Sequence, residues 1–255
     1  MISIVTITYN NFDELVKTLN SIPESTIIES VVINGGQCKK TKLFLNTYPG
    51  KSITEKDDGI ADAFNKGVKL SSGKYIMFLN SGDVLIDKSY LEKALKVLNE
   101  NRNISFVHSN LLLVDDSNPE LFMRPTLSNL GRGMPYLHPT MIVKKELFDK
   151  IGMFDTKLKI AMDFDWIVKL VKYNFLGYFI NNSAVVKMNA SGKSIKEEKA
   201  AIKECYTILK SNNFLTPNNF MGFILRYVLY VLRMIMLKIG FKDVLIQMKK
   251  IKHSK

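Results

Sequence analysis

The sequence predicts an α/β protein with a mostly parallel sheet flanked by helices, followed by a C-terminal amphipathic helical segment. Two observations predict the sheet: short apolar runs alternate with helical patterns, and several of these runs end in polar or glycine-containing turns. A third observation sets the C-terminal stretch apart, because its apolar content is nearly continuous. We therefore expect one domain over residues 1–215 and a basic amphipathic tail over residues 216–255.

The first part of the chain carries clear strand and helix signals. We predict strands at Ser3–Thr8, Ile27–Ile33, Ser52–Thr54 and Tyr75–Leu79, and helices over residues 11–22, 58–70 and 89–99. Asn11 stands where it can cap the first of these helices. Strands joined by helices run parallel, so their carboxyl ends meet at the edge of the sheet where such proteins bind ligands.

The rest of the first domain is less regular. Residues 104–139 contain loop-like stretches. After them we predict a strand at Thr140–Val143, helices at Lys145–Ile151 and Asp163–Tyr173, and strands at Gly177–Ile180 and Ala184–Lys187.

The segment Asn219–Phe241 is long and apolar enough to cross a membrane, yet it contains Arg226 and Arg233. These arginines are seven residues apart and share one helical face, which Lys242 and Lys249 extend. Such a polar stripe fits a helix lying in the membrane interface, and the lysines near the C-terminus would then contact anionic headgroups at roughly 1 kcal/mol per charge. A helix packed on the body or on an oligomer partner, and a true span, remain alternatives.

The charge of the protein is concentrated in this tail. The chain has 255 residues and a formal net charge of +12, of which residues 216–255, with eight Lys or Arg and one Asp, carry +7. The remaining +5 is spread over the body. A nucleic-acid-binding protein more often has a basic stripe across its folded body, so we do not expect nucleic acid as a partner.

Cysteine content and the N-terminus predict the compartment. Cys38 and Cys205 are the only cysteines, and neither has a His or Cys companion at metal-ligand spacing. Two cysteines in a chain of this length are typical of a reducing compartment. The N-terminus lacks a basic region and a cleavage site, so we expect a cytoplasmic protein associated peripherally with the inner face of the plasma membrane.

Two acidic positions are the strongest candidates for chemistry. Asp83 closes the turn Asn80-Ser81-Gly82-Asp83 after an apolar strand, and Mg²⁺ or Mn²⁺ is often held by one carboxylate together with phosphate oxygens. Asp163 stands at a helix start, where a carboxylate can face the same crevice and take a proton from a hydroxyl about 3 Å away. The alternative for either residue is a capping role.

Further polar residues are weaker candidates. Asp58, Asp62 and Asn65 fall on one helical face, with Lys66 placed to pair with Asp62, and this face is either a polar wall beside a ligand or an ordinary solvated stripe. His138 precedes a strand, where it can ligate a metal, contact a sugar hydroxyl or simply be buried.

Five motifs occur in a recognisable order. They are Ser3-Ile4-Val5-Thr6-Ile7-Thr8-Tyr9-Asn10-Asn11, Val32-Ile33-Asn34-Gly35-Gly36, the stretch from Asp57 to Gly67, Phe78-Leu79-Asn80-Ser81-Gly82-Asp83 and Ala161-Met162-Asp163-Phe164-Asp165. Over about residues 1–210 the chain resembles family 2 glycosyltransferases, especially small bacterial enzymes that build capsule, O-antigen and colanic-acid-type polysaccharides. The resemblance implies a GT-A (Rossmann-like) fold, an inverting single displacement and a nucleotide-diphosphate sugar donor.

The resemblance also implies roles for individual residues. The donor-binding set is Thr8, Tyr9, Asn34, Asp58, Asn65, Lys66 and Asn80. Asp83 matches the last acid of the metal motif for Mg²⁺ or Mn²⁺, His138 is a possible second ligand, and Asp163 matches the catalytic base. His138, Asp165 and Ser194 lie on the acceptor side. Asn34 and Asn80 depart from the family pattern, since each stands where an aspartate is usual.

The predicted function is therefore that of a metal-dependent, inverting, hexosyltransferase-type glycosyltransferase. It would move a sugar from a nucleotide-diphosphate donor, a UDP-sugar in the first place, to a lipid-linked saccharide acceptor in bacterial surface polysaccharide synthesis. One alternative is a catalytically impaired, membrane-associated nucleotide-sugar-binding protein, for which Asn34 and Asn80 are the argument. A sugar-phosphate nucleotidylyltransferase is a further alternative, although the glycine- and arginine-rich loop expected after its first strand is replaced here by Tyr9-Asn10-Asn11.

Overall fold

The computed structural model describes residues 1–115, 118–125, 129–181, 183–190 and 192–241. The strands are β1 Ile2–Thr8, β2 Ile28–Asn34, β3 Lys51–Thr54, β4 Tyr75–Phe78, β5 Val84–Leu85, β6 Ile104–His108, β7 Leu111–Asp115, β8 Asn118–Met123, β9 Ile142–Lys144, β10 Leu176–Phe179 and β11 Val186–Asn189. The helices are α1 Phe12–Ser21, α2 Lys39–Asn46, α3 Ile60–Leu70, α4 Ser89–Glu100, α5 Leu147–Ile151, α6 Met162–Lys172, α7 Lys193–Lys196, α8 Glu198–Ser211 and α9 Pro217–Lys238. Leu130–Arg132 and His138–Thr140 form short 3₁₀ turns.

A seven-stranded sheet with the order β10-β6-β9-β4-β1-β2-β3 forms the centre of the molecule. Its pairs are parallel except those made by β9, which runs antiparallel to both β4 and β6. The central strands consist almost wholly of buried apolar residues because helices cover both faces. The predicted α/β fold with a mostly parallel sheet is confirmed, and β9 is its one exception among the described strands.

The region 104–139, which sequence patterns indicate only weakly, contains three strands. β6 joins the main sheet, while β7 and β8 pair antiparallel in a second sheet with the order β5-β11-β7-β8. These strands are short and β8 contains a proline, so their alternation signal is faint. The sequence pattern does not predict helix α2 either. Only Thr41 and Leu45 of Lys39–Asn46 are buried, so the helix has no clear apolar periodicity.

Helix α9 packs along the 3₁₀ turn Leu130–Arg132 and along α8. The helix begins after Thr216, whose side chain accepts a hydrogen bond from Asn219 N–H at 3.3 Å. By length and composition α9 is apolar enough to cross a membrane, since its most apolar 18-residue stretch has a mean hydropathy of 1.8. Only 6% of that stretch is buried against the rest of the protein. The division of the chain at residues 215 and 216 stays a prediction.

The two arginines of α9 share one face, as expected, and this face is turned towards the body of the protein. Arg233 forms an ion pair with Glu198 of α8. The guanidinium of Arg226 lies 3.5 Å from where a side chain on Gly133 would begin, and it interacts with the Cys205 thiol. Arg233 is thus paired with a carboxylate, whereas Arg226 Nη1 is buried without a hydrogen-bond partner among the described residues, and the apolar residues of α9 remain exposed. Lys242 and the Lys249–Lys255 cluster lie outside the described residues.

A partly buried glutamate joins the amino ends of three strands. Glu29 of β2 accepts hydrogen bonds from the Ser3 hydroxyl of β1 and from Ser72, and it pairs with Lys51 of β3 at 2.7 Å. Burial alone would raise the pKa of Glu29, but these partners outweigh burial and lower the pKa from 4.5 to about 2. The ionised carboxylate therefore stabilises the folded state at neutral pH, and this contribution is lost as the pH falls from 4.5 towards 2.

We predict that Glu29→Gln lowers the free energy of unfolding by about 1–3 kcal/mol at pH 7, because Ser3, Ser72 and Lys51 lose their shared ionised acceptor. Urea unfolding followed by circular dichroism at pH 7 and at pH 3 measures the change, which should shrink at the lower pH. Glu24→Gln alters an exposed glutamate and serves as the control. An equal loss at both pH values would contradict the assignment.

Candidate active site

The carboxyl ends of β1 and β4 bring two loops together at one edge of the main sheet. Leu79 N–H donates to Val5 O at 3.0 Å, and Ser81 N–H donates to Ile7 O at 3.2 Å, so the sheet pairing continues past the end of β4. Asn11 does not cap α1 with its side chain. Its Oδ1 instead accepts from the Thr8 hydroxyl at 2.6 Å and from Tyr9 N–H at 3.1 Å, which fixes the end of β1.

Asp83 lies in a tight turn at this edge. Asp83 N–H donates to Asn80 O at 2.8 Å, and Asn80 N–H donates to Asp83 Oδ2 at 3.1 Å. Gly82 has a φ of +103°, and a Cβ there would approach Glu14 Oε2 to 3.1 Å, so glycine suits both the turn and its neighbour. Asp83 is only 5% exposed, and burial raises its pKa to about 7 despite the Asn80 hydrogen bond.

Asp163 stands in the first turn of α6, as the sequence predicts. Its Oδ1 accepts a hydrogen bond from Phe164 N–H at 2.7 Å. Burial raises the pKa of Asp163, and the neighbouring His138 opposes that rise in part. A half-buried carboxylate with a raised pKa is a better proton acceptor than an ordinary aspartate.

Asp83 and Asp163 line the same crevice, which has a volume of about 530 Å³. Asn80, Ser81 and Gly82 form the wall around Asp83, while Tyr136, His138 and Met162 form the wall around Asp163. The structure therefore brings the two carboxylates to one cavity, although eighty positions of sequence separate them.

A second cavity of about 700 Å³ adjoins this crevice and shares Asn11, Ile60, Asn80 and Ser81 with it. Thr8, Tyr9 and Asp58 line the second cavity. Tyr9 is 68% exposed, so its ring is free to contact a ligand there. Together the two cavities form a long groove along the carboxyl edge of the sheet.

Asn65 and Lys66 do not reach this groove, and their predicted place in the donor-binding set is not supported. Both ends of the Asn65 amide are used by the backbone of Phe154, at 2.9 and 3.0 Å. Lys66 pairs with Glu55 and Asp62 on the outer side of α3. Asn65 is thus turned towards the α5–α6 connection and Lys66 towards the solvent side of α3, while Phe64 and Val68 pack in the apolar core.

Asn34 and Asp165 are also engaged elsewhere. Asn34 is fully buried, and its Oδ1 accepts from Gly36 N–H at 3.0 Å, so it fixes the loop after β2. Asp165 is 6% exposed and pairs with Lys169 at 2.7 Å on the side of α6 that faces away from the crevice. Two positions beyond Asp163 is about half a helical turn, which is why both carboxylates cannot face the same cavity.

His138 and Ser194 do line the crevice. The His138 ring stacks on Phe78 with centroids 5.3 Å apart, and burial lowers its pKa while Asp163 opposes this. Its electrostatic partner is thus Asp163 rather than Asp83, which weakens its expected role as a metal ligand. Ser194 lies in α7 at the opposite rim.

Two carboxylates that the sequence analysis gave no role also lie at this groove. Glu14 of α1 borders the crevice beside Gly82. Asp57 lines the second cavity, and its Oδ2 lies 1.7 Å from where a Cβ on Gly35 would stand, so only glycine fits beneath it. In the sequence, the signal that could have indicated Asp57 is the glycine pair Gly35-Gly36 after β2, because a glycine is needed where the Asp57 carboxylate approaches the backbone.

The oxygen atoms around Asp83 fit a hard divalent cation. Asn80 Oδ1, Ser81 Oγ and Glu14 Oε2 are buried and have no hydrogen-bond partner among the described residues, although Lys17 pairs with Glu14 at 3.8 Å. Within the same residues, no group of three or more His, Cys, Asp or Glu side chains is placed to hold a metal. Mg²⁺ or Mn²⁺ held by one carboxylate needs further oxygen ligands, which substrate phosphates supply.

The part of the chain that contains the carboxyl ends of β1 and β4 matches a known protein family. The sequence profile of the family described as "Glycosyl transferase family 2" matches residues 3–152, which is more than half of the chain. The chain belongs to glycosyl transferase family 2. The matched range includes Thr8, Asp58 and Asp83, and ends before Asp163. Membership in this family confirms the predicted resemblance and favours glycosyl transfer over nucleotidyl transfer.

Relatives within the family cover most of the chain. An uncharacterized glycosyltransferase from Haemophilus influenzae is 29% identical over 198 residues, which are 71% of this chain and 66% of that protein. S. aureus TarS 1–349 in complex with UDP-GlcNAc matches with a TM-score of 0.65 at 17% identity, over 83% of this chain and 65% of TarS 1–349. This chain thus spans about two-thirds of the length of these two proteins.

A second solved structure extends the comparison of the fold. The mannosyltransferase PcManGT from Pyrobaculum calidifontis, in complex with GDP-Man and Mn²⁺, matches with a TM-score of 0.60 at 15% identity, over 89% of this chain and 73% of that chain. The predicted GT-A fold is confirmed by these structures together with the family match.

We predict that the affinity for Mn²⁺ in the presence of UDP rises about tenfold from pH 6 to pH 8, because a proton on Asp83 competes with the cation below its pKa of about 7. Isothermal titration calorimetry at both pH values measures this. Asp83→Asn should lose the pH dependence together with most of the affinity. Asp149→Asn changes an exposed aspartate of α5 and is the control. An unchanged affinity in Asp83→Asn would remove Asp83 from the cation site.

Proposed function

We propose that this family 2 protein is an inverting, metal-dependent glycosyltransferase acting on a nucleotide-diphosphate sugar, with a UDP-sugar as the first candidate donor. Its acceptor is a lipid-linked saccharide of bacterial surface polysaccharide synthesis. The observation that carries the proposal is the shared crevice of Asp83 and Asp163. Asp83 can hold a cation against the leaving diphosphate there, and Asp163 can accept the proton of the attacking hydroxyl.

The chemistry follows from the environments of these two residues. The hydroxyl oxygen of the acceptor attacks the anomeric carbon while the bond to the diphosphate oxygen breaks, and the hydroxyl proton passes to the Asp163 carboxylate. Burial raises the pKa of Asp163, which makes its carboxylate a stronger base, and burial lowers the pKa of His138, which the nearby Asp163 opposes in part. A divalent cation at Asp83, when bound, stabilises the negative charge of the leaving diphosphate.

The nucleotide is proposed to lie in the cavity lined by Thr8, Tyr9 and Asp58. The solved structures with similar folds carry UDP-GlcNAc in one case and GDP-Man in the other, so the fold accommodates either base. Asn34 is not free to contact the base, since its oxygen is held by Gly36 N–H. Asp57, whose carboxylate lies beside Gly35, also lines this cavity.

The alternative of a catalytically impaired nucleotide-sugar-binding protein rests on Asn34 and Asn80. Neither asparagine is a clear sign of lost activity. The Asn34 side chain accepts a hydrogen bond from Gly36 N–H and so fixes the loop after β2, and Asn80 Oδ1 is a buried oxygen without a hydrogen-bond partner in the described part of the chain that can contribute to the proposed cation site. Asp83 and Asp163, the two groups that the chemistry requires, are both present in the crevice.

Association with a membrane is proposed for the outer face of α9. Exposed apolar side chains follow one another along this face: Met221, Ile224, Leu225, Val228, Leu229, Leu232 and Ile235. The arginines of the helix turn inwards, so no charge from Pro217 to Leu237 opposes contact with lipid. Lys238 and the five lysines from Lys242 to Lys255 in the following sequence carry the charge that anionic headgroups attract, with one aspartate among them. An anionic lipid surface is therefore the proposed partner, on the inner face of the plasma membrane.

We predict that Asp163→Asn lowers kcat by about 10²–10⁴-fold while leaving donor affinity nearly unchanged, since the amide cannot take the proton. Release of UDP from a panel of UDP-sugars and a saccharide acceptor measures kcat, and calorimetry with UDP and Mn²⁺ measures binding. Asp149→Asn is again the control. Retained turnover with weakened donor binding would contradict the role of Asp163 as the base, and absence of transfer by the wild type with intact UDP binding would favour the impaired binding protein.

We also predict that Leu225→Glu combined with Leu229→Glu abolishes co-sedimentation with phosphatidylcholine vesicles containing phosphatidylglycerol, because two charges would enter the lipid-facing surface. Removing residues 219–255 should likewise release the protein, but that change also uncovers Leu130. Leu43→Glu alters an exposed leucine on α2 and is the control. Unchanged sedimentation would contradict the proposal, and a dimer by analytical ultracentrifugation that the double variant dissolves would assign the face to a second copy instead.

A further inference from the structure

Glu204 of α8 holds the segment that leads into α6. One of its oxygens accepts a hydrogen bond from Lys159 N–H at 3.1 Å. The other accepts from Ile160 N–H at 3.0 Å and from Ala161 N–H at 2.9 Å. Three consecutive backbone donors therefore end on one carboxylate, two residues before Asp163.

The segment held in this way is part of the active-site wall. Lys159 lines the proposed nucleotide cavity, and Ile160 lines the crevice that contains both carboxylates. Ala161 is the residue directly before α6, so its position sets where the first turn of that helix begins. A shift of this segment moves the Asp163 carboxylate with it, because the side chain is only two residues along the same backbone.

Helix α8 is itself firmly placed, which makes Glu204 a fixed anchor. Its buried residues Cys205, Ile208 and Leu209 pack with Phe164 and Val168 of α6 in one apolar cluster. Arg226 of α9 faces the Cys205 thiol, next to Glu204 in sequence. The carboxylate is thus held between the base-bearing helix and the helix proposed to contact lipid.

We propose that Glu204 is a positioning residue for the catalytic base: by binding the three N–H groups of residues 159–161 it fixes the start of α6 and the direction of the Asp163 side chain. The inference rests on the proposed function, since it assumes that Asp163 is the base. Glu204 acts through the backbone and does not itself contact substrate.

The charge of Glu204 gives this role a second readout. Burial is the main reason that the pKa of Asp163 is raised, His138 lowers it, and Glu204 adds to the rise. Cys205 also lies close enough to interact with Asp163, and its own pKa is raised by burial. Neutralising Glu204 therefore lowers the pKa of Asp163 and moves the acidic limb of the kcat profile to lower pH.

The test compares Glu204→Gln with Glu197→Gln, which alters an exposed glutamate at the start of the same helix. The glutamine has one oxygen acceptor in place of two, so at least one of the three hydrogen bonds is lost. We expect amides 159–161 to exchange faster with deuterium, kcat to fall about tenfold or more, KM for the donor to change by less than about threefold, and the acidic limb to shift downwards. The control should match the wild type in each measurement.

Carboxyl carbon NMR of Asp163 and amide exchange need no turnover, so they separate this inference from the proposed function. If the wild type transfers no sugar but Glu204→Gln changes both signals, the function fails and the anchor stands. Unchanged exchange at residues 159–161, or an Asp163 titration identical with that of the wild type, would overturn the inference. Should the glutamine variant not fold, Glu204→Asp keeps the charge at shorter reach, so we expect faster exchange of amides 159–161 and a lower kcat with little change in the Asp163 titration.

Discussion

The site depends on the constraint that the end of β4 imposes on the Asn80–Asp83 turn. Ser81 N–H continues the pairing of β4 with β1, and the buried Thr18 hydroxyl accepts a hydrogen bond from Gly82 N–H at 2.9 Å while lying 3.2 Å from the Asn80 carbonyl. The turn is thus fixed by both the sheet and α1. Asp83 has no freedom to move out to solvent, so it remains a nearly buried carboxylate at the rim of a crevice.

Taking a carboxylate out of water is electrostatically unfavourable, and burial raises the pKa of Asp83 and of Asp163. The large apolar cores on either side of the sheet stabilise the fold enough to tolerate this. The raised pKa values are useful for the proposed chemistry, because a desolvated carboxylate interacts strongly with a cation or a proton once substrate arrives. The arrangement is typical of a binding or catalytic site rather than of a structural ion pair.

Local sequence patterns were sufficient for the elements that frame the site and insufficient for contacts between distant segments. β1, β4 and α6, with Asp83 and Asp163 at their ends, follow from apolar runs that stop at polar turns. Lys66 pairs with Asp62 as the i,i+4 spacing predicts, but the helical pattern does not show that the Asn65 amide bonds the backbone of Phe154. The arginines of α9 share a face as expected, yet only the packed structure shows that the face turns inwards towards Glu198 and Cys205. Glu204 could not be found from sequence, because forty-three positions separate it from Ala161.

The most direct measurement is a crystal structure with Mn²⁺ and a 2-fluoro analogue of an accepted UDP-sugar. We expect density for the diphosphate beside Asp83 and for the sugar ring between the two carboxylates, with the Asp163 carboxylate on the face of the anomeric carbon opposite the diphosphate. A diphosphate bound away from Asp83, or an Asp163 carboxylate on the same face as the leaving group, would contradict the central claim.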